Sequence, residues 1–266
     1  MTTTQLPQGL SRRHLLAAPF ALATVARAAQ PALALPLPPV IDHSALLGPV
    51  KNQFDRDVCA YFAFTAAVEA ALARLTGLPM ALSEQFLTDL AYAGGPPPAR
   101  ETTSLNDPVA LAKAHGMVPA GALPYRPRLP AHQLIRMPEP AVLAAALRIN
   151  LKMAALALPT VEKLVRKLLT SPLIVPLAYP EDEAGWREDG WVVPVPALME
   201  SWEVRFSVPN HFVLLTGYDL RQQFFRFRSS WGPGWGQAGY GRISFDAMRT
   251  RWWTGNAAFV KSLTLA

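Results

Sequence analysis

The sequence has very little cysteine: Cys59 is the only one in 266 residues. A single thiol cannot form an intramolecular disulfide, so a fold that is held together by disulfides is excluded. Charged residues are also scarce, at 17% of the chain, whereas 51% of the residues are hydrophobic. This balance excludes a disordered chain and indicates a globular protein with a sizeable core.

A clustered basic face is also lacking, although the formal net charge is +6. No run of lysine and arginine is interleaved with aromatic residues, so nucleic-acid binding is not expected. Arg12, Arg13 and Arg27 supply three of the positive charges, and residues 1–28 contain no acid. Without that segment the charge falls to +3, which indicates a mildly basic, solvated surface.

The N-terminal segment has the features of an export signal. Arg12 and Arg13 form a twin-arginine pattern, which is followed by an apolar stretch over residues 15–25. Residues 26–28 and 32–34 are candidate cleavage sites. The apolar stretch is shorter than the about 20 residues that span a bilayer, so no stable membrane span is expected. We predict export by the twin-arginine route to the periplasm or beyond, with an uncleaved N-terminal anchor as the alternative.

The chain divides into a signal at 1–28, a Pro/Ala-rich linker at 29–40 and a folded domain at 41–266. Apolar periodicity and capping residues predict helices at 59–75, after Ser83, at 107–115, at 140–158 and at 161–169. Strand-like runs follow at 173–179, 204–208, 212–218 and 224–228. A helix-rich part at about 41–170 and a strand-rich part at about 171–266 predict an α+β fold.

Cys59 lies where a polar loop runs into the first predicted helix. A helix N-terminus stabilises a thiolate, and so lowers the thiol pKa from its usual value of about 8.5. The plainer interpretation is a small buried hydrophobe, which is how most free cysteines behave. A nucleophilic thiol needs a base, and the chain has five histidines that could supply it.

His211 is the histidine with the best supporting pattern, because it opens an apolar strand. A polar turn at 219–223 separates that strand from the next one. If the turn centres on Leu220, His211 faces Ser229, which would then orient the imidazole. An error of one residue in the turn would move this partner by two positions. The other histidines are His14, which is in the signal, and His43, His115 and His132, for which surface or capping roles suffice.

Four segments of the chain resemble those of papain-like cysteine peptidases. They are Val50-Lys51-Asn52-Gln53 with Cys59 six residues later, Leu82-Ser83-Glu84-Gln85, Asn210-His211 before a strand that ends in Gly217-Tyr218, and the Trp/Gly-rich residues 230–240. Their order agrees with the family, and His211 follows Cys59 at close to the family's separation of about 130–150 residues. The resemblance covers residues 40–262 and identifies the chain as a divergent, exported bacterial member.

The resemblance implies a two-lobe fold, with the nucleophile on a helical lobe and the histidine on an antiparallel β-rich lobe. It implies Cys59 as the nucleophile and His211 as the acid/base. It also implies Gln53, together with the Cys59 N–H, as the oxyanion hole and Trp231 as a shield over the histidine. Ser229 stands where the family has asparagine, and we expect it to orient the histidine less firmly. No cofactor and no metal are implied.

Further departures from the family lie beside the nucleophile, where Arg56, Asp57, Val58 and Ala60 replace the family's Cys, Gly, Ser and Trp. Loss of that cysteine removes a disulfide. Asp57 and Ala60 are expected to alter the cleft wall, and the Asp57 charge to raise the thiol pKa. The acidic stretch 181–191, with Trp186 and Trp191, is predicted to be a solvated surface loop, with a loop that rims the cleft as the alternative.

The predicted function is an exported, monomeric cysteine peptidase that acts on peptides or proteins. One alternative is a catalytically weak or inactive papain-like protein that binds peptides, and another is a thiol-dependent acyl or amide transferase. Residues 29–40 are too short for the family's long inhibitory pro-segment. Either no such restraint is needed, or a separate inhibitor or the 181–191 loop supplies it.

Overall fold

Most of the helices come before most of the strands along the chain, as the sequence predicts, although two strands lie in the first part. The computed structural model describes residues 36–96, 104–128, 134–179, 185–195, 210–249 and 255–266. Residues Pro38–Ala266 form one compact unit. Its elements are β1 (Val40–Asp42), a short 3-10 helix (Ser44–Leu46), α1 (Cys59–Thr76), α2 (Glu84–Tyr92), α3 (Asn106–His115), α4 (Pro140–Ala144), β2 (Ile149–Leu156), α5 (Val161–Leu168), β3 (Leu173–Ala178), β4 (Trp191–Val192), β5 (Asn210–Asp219), β6 (Phe224–Arg228), β7 (Tyr240–Ser244), α6 (Phe245–Arg249) and β8 (Ala257–Leu265).

The described strands form one sheet in the order β2-β8-β3-β5-β6-β7-β4, and β1 pairs with β5 outside this path. Neighbouring strands are antiparallel, except that β4 runs parallel to β7. The central strand β5 is held by β3 on one side and by β6 on the other. His211, near the start of β5, is paired with Leu177 of β3.

Helix α1 is the central helix of the core, and it confirms the helix predicted from Cys59. Fourteen of its 18 residues are buried, so it contacts other elements on nearly every side. Gly77 ends it in the left-handed conformation (φ 79°), with the Gly77 N–H donating to the Ala73 carbonyl. In the described part of the chain it is the one helix long and apolar enough to cross a membrane. Its burial accounts for that apolar character.

Helix α2 begins as the sequence predicts. The Ser83 hydroxyl accepts a hydrogen bond from the Phe86 N–H at 3.0 Å, which satisfies one of the donors left free at a helix start. The same hydroxyl donates to the Leu123 carbonyl at 2.6 Å. Ser83 therefore both starts the helix and fixes it to a distant segment.

The helix predicted for residues 140–158 is wrong after its first turn. Helix α4 ends at Ala144, and residues Ile149–Leu156 form β2, which pairs with β8. Ile149 and Leu151 are buried, whereas Asn150 and Lys152 are exposed. That alternation is the period of a strand, but the pairing partner lies more than 100 residues away. The strand predicted at 204–208 lies outside the described residues.

A buried charge cluster ties the segment before Cys59 to α1 and α2. The Lys51 ammonium donates to Glu69 and Glu84, each at 2.7 Å, and to the Leu82 carbonyl at 2.6 Å. Glu69 lies within α1 and Glu84 is the first residue of α2, and both are almost fully buried. Burial raises the pKa of Glu84; the Lys51 charge opposes this and the Glu69 charge adds to it. Lys51 is thereby fixed two residues before Gln53.

Replacing Lys51 with methionine should strongly destabilise the fold. The substitution keeps the aliphatic stem but leaves two buried carboxylates without their cation, and the loss of one partner from a buried ion pair costs about 3–5 kcal/mol. The free energy of unfolding measured with urea at pH 7 reports the effect. Lys152→Met, at an exposed position of β2, is the matched control and should change it by less than about 0.5 kcal/mol. Equal effects of the two substitutions would contradict this account of the cluster.

Candidate active site

Cys59 is the first residue of α1, and its thiol is only 3% exposed. The helix start has no side-chain cap, because Val58 occupies the capping position. The nearby backbone N–H groups of Phe212, Ala60 and Cys59 itself favour the ionised form of the thiol and lower its pKa. Burial outweighs them and, with a smaller contribution from the Asp57 charge, raises the thiol pKa to about 11. In this conformation the group is therefore a neutral thiol.

His211 lies in a box of aromatic rings. The Trp231 ring stacks on the imidazole, with 4.6 Å between centroids and 28° between planes. Trp186 meets it edge-on at 5.4 Å, and Tyr179 packs at 5.7 Å. Because these rings exclude water, burial lowers the His211 pKa to about 3. The imidazole is therefore neutral, like the thiol.

The structure brings the predicted nucleophile and the predicted base to the same place. The thiol of Cys59 lies close enough to the backbone N–H of Phe212, the residue directly after His211, for that N–H to favour its ionised form. The contact joins the start of α1 to the start of β5. A helix start and a strand start that are 152 residues apart in the sequence therefore meet at the sulfur.

Gln53 is held firmly next to this pair of elements. Its side-chain oxygen accepts from the Ser230 hydroxyl, and its side-chain nitrogen donates to the Arg56 carbonyl at 2.7 Å. Its backbone N–H donates to the Ser230 carbonyl at 2.7 Å, and its own carbonyl accepts from the Tyr125 hydroxyl at 2.8 Å. An amide nitrogen carries two N–H donors. The Arg56 carbonyl accepts from one of them, so the other is the candidate donor to an oxyanion.

The simple hairpin predicted that Ser229 lies opposite His211, but the structure does not place it there. The ladder pairs Leu214 with Arg228, and a bulge shifts the register between Leu215 and Gly217. Carried on to His211, the Leu214–Arg228 register leads to Trp231, whose ring does stack on the imidazole. The predicted partner of His211 was wrong by two positions, because the predicted centre of the turn was misplaced by one residue.

The predicted hydrogen bond between Ser229 and His211 is also not formed in this conformation. The Ser229 hydroxyl and Nε2 of His211 are both buried, and neither has a partner among the described residues. Buried polar atoms without partners are uncommon in folded proteins, because each of them costs free energy. Both unpaired atoms belong to the segments that build this site.

Arg56, which replaces a cysteine of the family, has a structural role of its own. Its side chain is buried, and it donates to the Gln85 side chain at 3.0 Å and to the Arg126 carbonyl at 2.9 Å. Its guanidinium lies 5.0 Å from the centre of the Tyr125 ring. It therefore ties the loop that carries Gln53 to α2 and to the segment around residue 125. The amino-acid sequence alone gave no indication of these contacts of Arg56.

Two predictions about the cleft wall need correction. Ala60 is fully buried, so it belongs to the core and does not line a cleft, whereas Asp57 is exposed. Trp186 is 8% exposed and its indole N–H donates to the Ala178 carbonyl at 2.8 Å, so it is not on a solvated loop. Trp191 is partly buried against Phe224. Residues 181–184 of that stretch lie outside the described residues.

The remaining histidines have other surroundings. The ring of His43 is hydrogen-bonded to the Leu168 carbonyl at 2.6 Å, and burial lowers its pKa. His115 is the last residue of α3. His14 and His132 lie outside the described residues. The sequence reasoning placed Ser230 in the Trp/Gly-rich segment and Trp186 in a loop that could rim the cleft, but it gave neither residue a role in the site. The hydrogen bond of Ser230 to Gln53 and the contact of Trp186 with His211 came only from the structure.

The fold and this site together define a class of protein: an α+β thiol enzyme fold in which the cysteine begins a helix and the histidine begins a strand. Residues 197–253 match the family model described as papain family cysteine protease. A stretch of 40 residues is 49% identical to gamete and mating-type specific protein A of Dictyostelium discoideum. That stretch is 15% of this chain and 9% of the relative.

Solved structures extend the likeness over most of the chain. Digestive procathepsin L2 proteinase from Tenebrio molitor larval midgut is 25% identical, with a TM-score of 0.66, and the match covers 85% of this chain and 69% of that one. The Amb a 11 cysteine protease of ragweed pollen, in its proform, is 22% identical, with a TM-score of 0.65 over 87% and 68%. Bromelain from Ananas comosus is 19% identical, with a TM-score of 0.62 over 85% and 100%. The predicted recognition is confirmed: the chain has the papain-like two-lobe fold and resembles papain-like cysteine peptidases.

The lowered pKa of His211 predicts a specific loss of stability in acid. In the unfolded chain the His211 imidazole becomes protonated below pH 6.5. In the folded protein the buried imidazole stays neutral until about pH 3. The free energy of unfolding that this group contributes is therefore complete above pH 6.5 and falls as the pH falls toward 3. Urea unfolding of the wild type and His211→Gln between pH 7 and pH 4 should show a steeper decline for the wild type.

Cys59→Ser is the control for this experiment, because it alters the site but keeps the histidine. It should keep the steep decline of the wild type. Parallel curves for the wild type and His211→Gln would show that the imidazole is not buried in its neutral form.

Proposed function

We propose that this protein is a cysteine peptidase that cleaves peptide bonds with Cys59 as the nucleophile and His211 as the acid/base. The observation that carries the proposal is the closeness of the Cys59 thiol to the Phe212 N–H, which favours the ionised thiol and brings the start of α1 to β5, one residue from His211. The family segment at 197–253 includes that histidine. A papain-like fold supports a peptidase-like function for the arrangement.

The chemistry follows from the placement of these groups. The imidazole takes the proton of the Cys59 thiol, and the thiolate attacks the carbonyl carbon of the substrate. The free N–H of the Gln53 amide and the Cys59 N–H donate to the oxyanion, and each such donor can contribute about 3–4 kcal/mol. The imidazolium then gives its proton to the leaving amine, which leaves a thioester on Cys59. Water hydrolyses the thioester and restores the thiol.

One observation favours a second candidate, a papain-like protein that binds peptides but reacts slowly. The thiol and the imidazole are each only 3% exposed, and burial favours the neutral form of both. A peptidase with these residues needs substrate binding to bring the imidazole and the thiol into an ion pair. A binding protein needs no such change.

Alkylation of the single cysteine separates the two candidates. At pH 6 a free thiol of pKa about 8.5 is only about 0.3% ionised, so an activated thiolate should react with iodoacetamide about 100-fold faster than N-acetylcysteine. Because the chain has one cysteine, every label reports Cys59. The proposal predicts fast labelling in the wild type and at least a 10-fold slower reaction in His211→Ala.

Cys59→Ser is the blank for this measurement, and it should not be labelled. A wild-type rate equal to that of N-acetylcysteine, unchanged in His211→Ala, would establish the binding protein instead. If labelling is fast, the products formed from a peptide substrate with an added amine distinguish hydrolysis from acyl transfer.

We also propose that Ser229 orients His211 during catalysis. The proposal rests on the two unpaired buried atoms, Nε2 of His211 and the Ser229 hydroxyl. A hydroxyl can accept from the imidazole N–H, but serine is shorter than the asparagine of the family at this place. A movement of either side chain, or a water between them, would have to complete the bond during catalysis.

Substitution of Ser229 tests this role through the pH profile. Ser229→Ala should lower kcat by about 10-fold and move the acid limb of kcat/KM, because a hydrogen bond to the imidazolium form is lost. Ser229→Asn should keep kcat at or above the value of the wild type. A merely structural role would lower stability in Ser229→Ala without moving the pH profile, and that result would contradict the proposal.

The proposal extends to the setting of the enzyme. Arg12, Arg13 and the apolar stretch after them support export by the twin-arginine route, to the periplasm or outside the cell. Peptides or proteins in that compartment would be the substrates. A separate inhibitor, or the 181–191 loop, would restrain the activity.

A further inference from the structure

A cavity lies far from the proposed catalytic pair, against the C-terminal half of α1. It has a volume of about 230 Å³. Its floor is formed by Ala67, Ala70 and Ala71, which share one face of the helix at the spacing of successive turns. The small side chains leave the space open. Arg74, one turn further, lies about 22 Å along the helix axis from Cys59, at a rise of about 1.5 Å per residue.

The walls of the cavity come from two other elements. The end of α5 and the turn after it supply Lys167 and residues 170–172, and β8 supplies residues 260–263. Successive residues of a regular strand point to opposite faces, so four consecutive residues would not line one cavity.

A β-bulge in β8 accounts for this lining. Lys152 of β2 pairs with Ser262 and Met153 pairs with Val260, so Lys261 is an extra residue without a counterpart. Bulges turn a side chain out of the regular alternation and are common beside functional sites. The bulge allows Lys261 to line the cavity together with its neighbours.

Three cations line this cavity and no acid does. They are Arg74, Lys167 and Lys261, and none of them forms an ion pair with a carboxylate in the described part of the chain. The Arg74 guanidinium donates to the Thr170 carbonyl and lies 3.3 Å from Nδ1 of His43. The Lys167 ammonium lies 3.6 Å from the centre of the Phe259 ring.

The positive charges disfavour one another. Burial lowers the pKa of both Arg74 and Lys167, and the charge of Arg74 lowers that of Lys167 further. Like charges gathered in one concave site raise the local concentration of anions. An anion in the cavity would supply the counter-charge that the described residues do not.

We propose that this cavity binds a small oxyanion of the phosphate or sulfate type, either as a free ion or as a group on a larger molecule. Ser262 lines the same space, and its hydroxyl can donate to such an oxygen. The arginine fork suits a tetrahedral oxyanion particularly well. The volume is below the about 300–1,000 Å³ of pockets for drug-sized ligands, so a single group fits it better than a whole ligand. The site is separate from the proposed catalysis and does not depend on it.

Titration calorimetry on the full chain tests the proposal, with sodium sulfate or phosphate injected at pH 7 against sodium chloride of matched ionic strength. Saturable binding with a one-to-one stoichiometry is expected for both oxyanions. Calorimetry is preferred to thermal shift alone, because sulfate also stabilises folded proteins by exclusion from their surface. Arg74→Gln and Lys261→Gln should each weaken binding at least 10-fold.

Lys163→Gln is the matched control, because it removes an exposed cation from α5 that does not line the cavity. It should bind as the wild type does. Heats that do not saturate, or equal affinities in all four proteins, would overturn the proposal. Lys261 is exposed at a bulge, so its substitution keeps the test decisive even if Arg74→Gln fails to fold.

A sulfated oligosaccharide distinguishes the two sources of the group. Binding at least 10-fold tighter than that of inorganic sulfate, and lost in the same variants, assigns the site to a group on a larger molecule. Equal affinity for the two assigns it to the free ion. Binding of the oligosaccharide that persists in Arg74→Gln and Lys261→Gln places it elsewhere and counts against the site.

Discussion

The packing of α1 against β5 is the contact on which the rest of the structure depends. The first residue of α1 carries the thiol, and the first turns of the helix pack with Phe62, Ala63 and Ala66 against Phe212 and Leu214 of the strand. Since the start of β5 is paired with β3 and the strand is paired with β6 from Leu214 onward, the start of β5 is held by the sheet. The thiol and the imidazole segment are therefore positioned by the core and not by a mobile loop.

Three polar networks hold the loop that precedes α1, and they compensate for the single cysteine. The Lys51 cluster fixes the loop to α1 and α2. The Arg56 guanidinium fixes it to α2 and to the carbonyl of Arg126. The bonds between Gln53 and Ser230 fix it to the segment after β6. Each network joins residues far apart in the sequence, as a disulfide would, but with hydrogen bonds and charges.

The two ends of α1 differ in their exposure to water and in their charge. At Cys59 and His211 burial excludes water and favours the neutral forms of both groups, so it opposes the ion pair that papain-like catalysis needs. At the other end the alanines of α1 leave a cavity with three cations that no carboxylate among the described residues neutralises. One helix thus carries a closed, neutral site and an open, positive one.

Local patterns were sufficient for much of this architecture. The helix starting at Cys59, the cap at Ser83 and the strands on either side of the 219–223 turn could be read from residues within a few positions of one another. Strand β2 could not, because its partner β8 lies more than 100 residues away and the alternation in an alanine-rich stretch is weak. The segments at 204–208 and 1–35 lie outside the described residues, so they stay predictions.

By itself the sequence determined which residues could form the site, since the order and spacing of Gln53, Cys59 and His211 are properties of the chain. Only the tertiary structure decided what surrounds them. The register of β5 and β6, carried on to His211, leads to Trp231 and not to Ser229, and the Trp231 ring stacks on the imidazole. The fold also buried Trp186 and Arg56 around the site. Register and burial are set by contacts between distant segments, and so are the pKa values that follow from them. A linear sequence does not display those contacts.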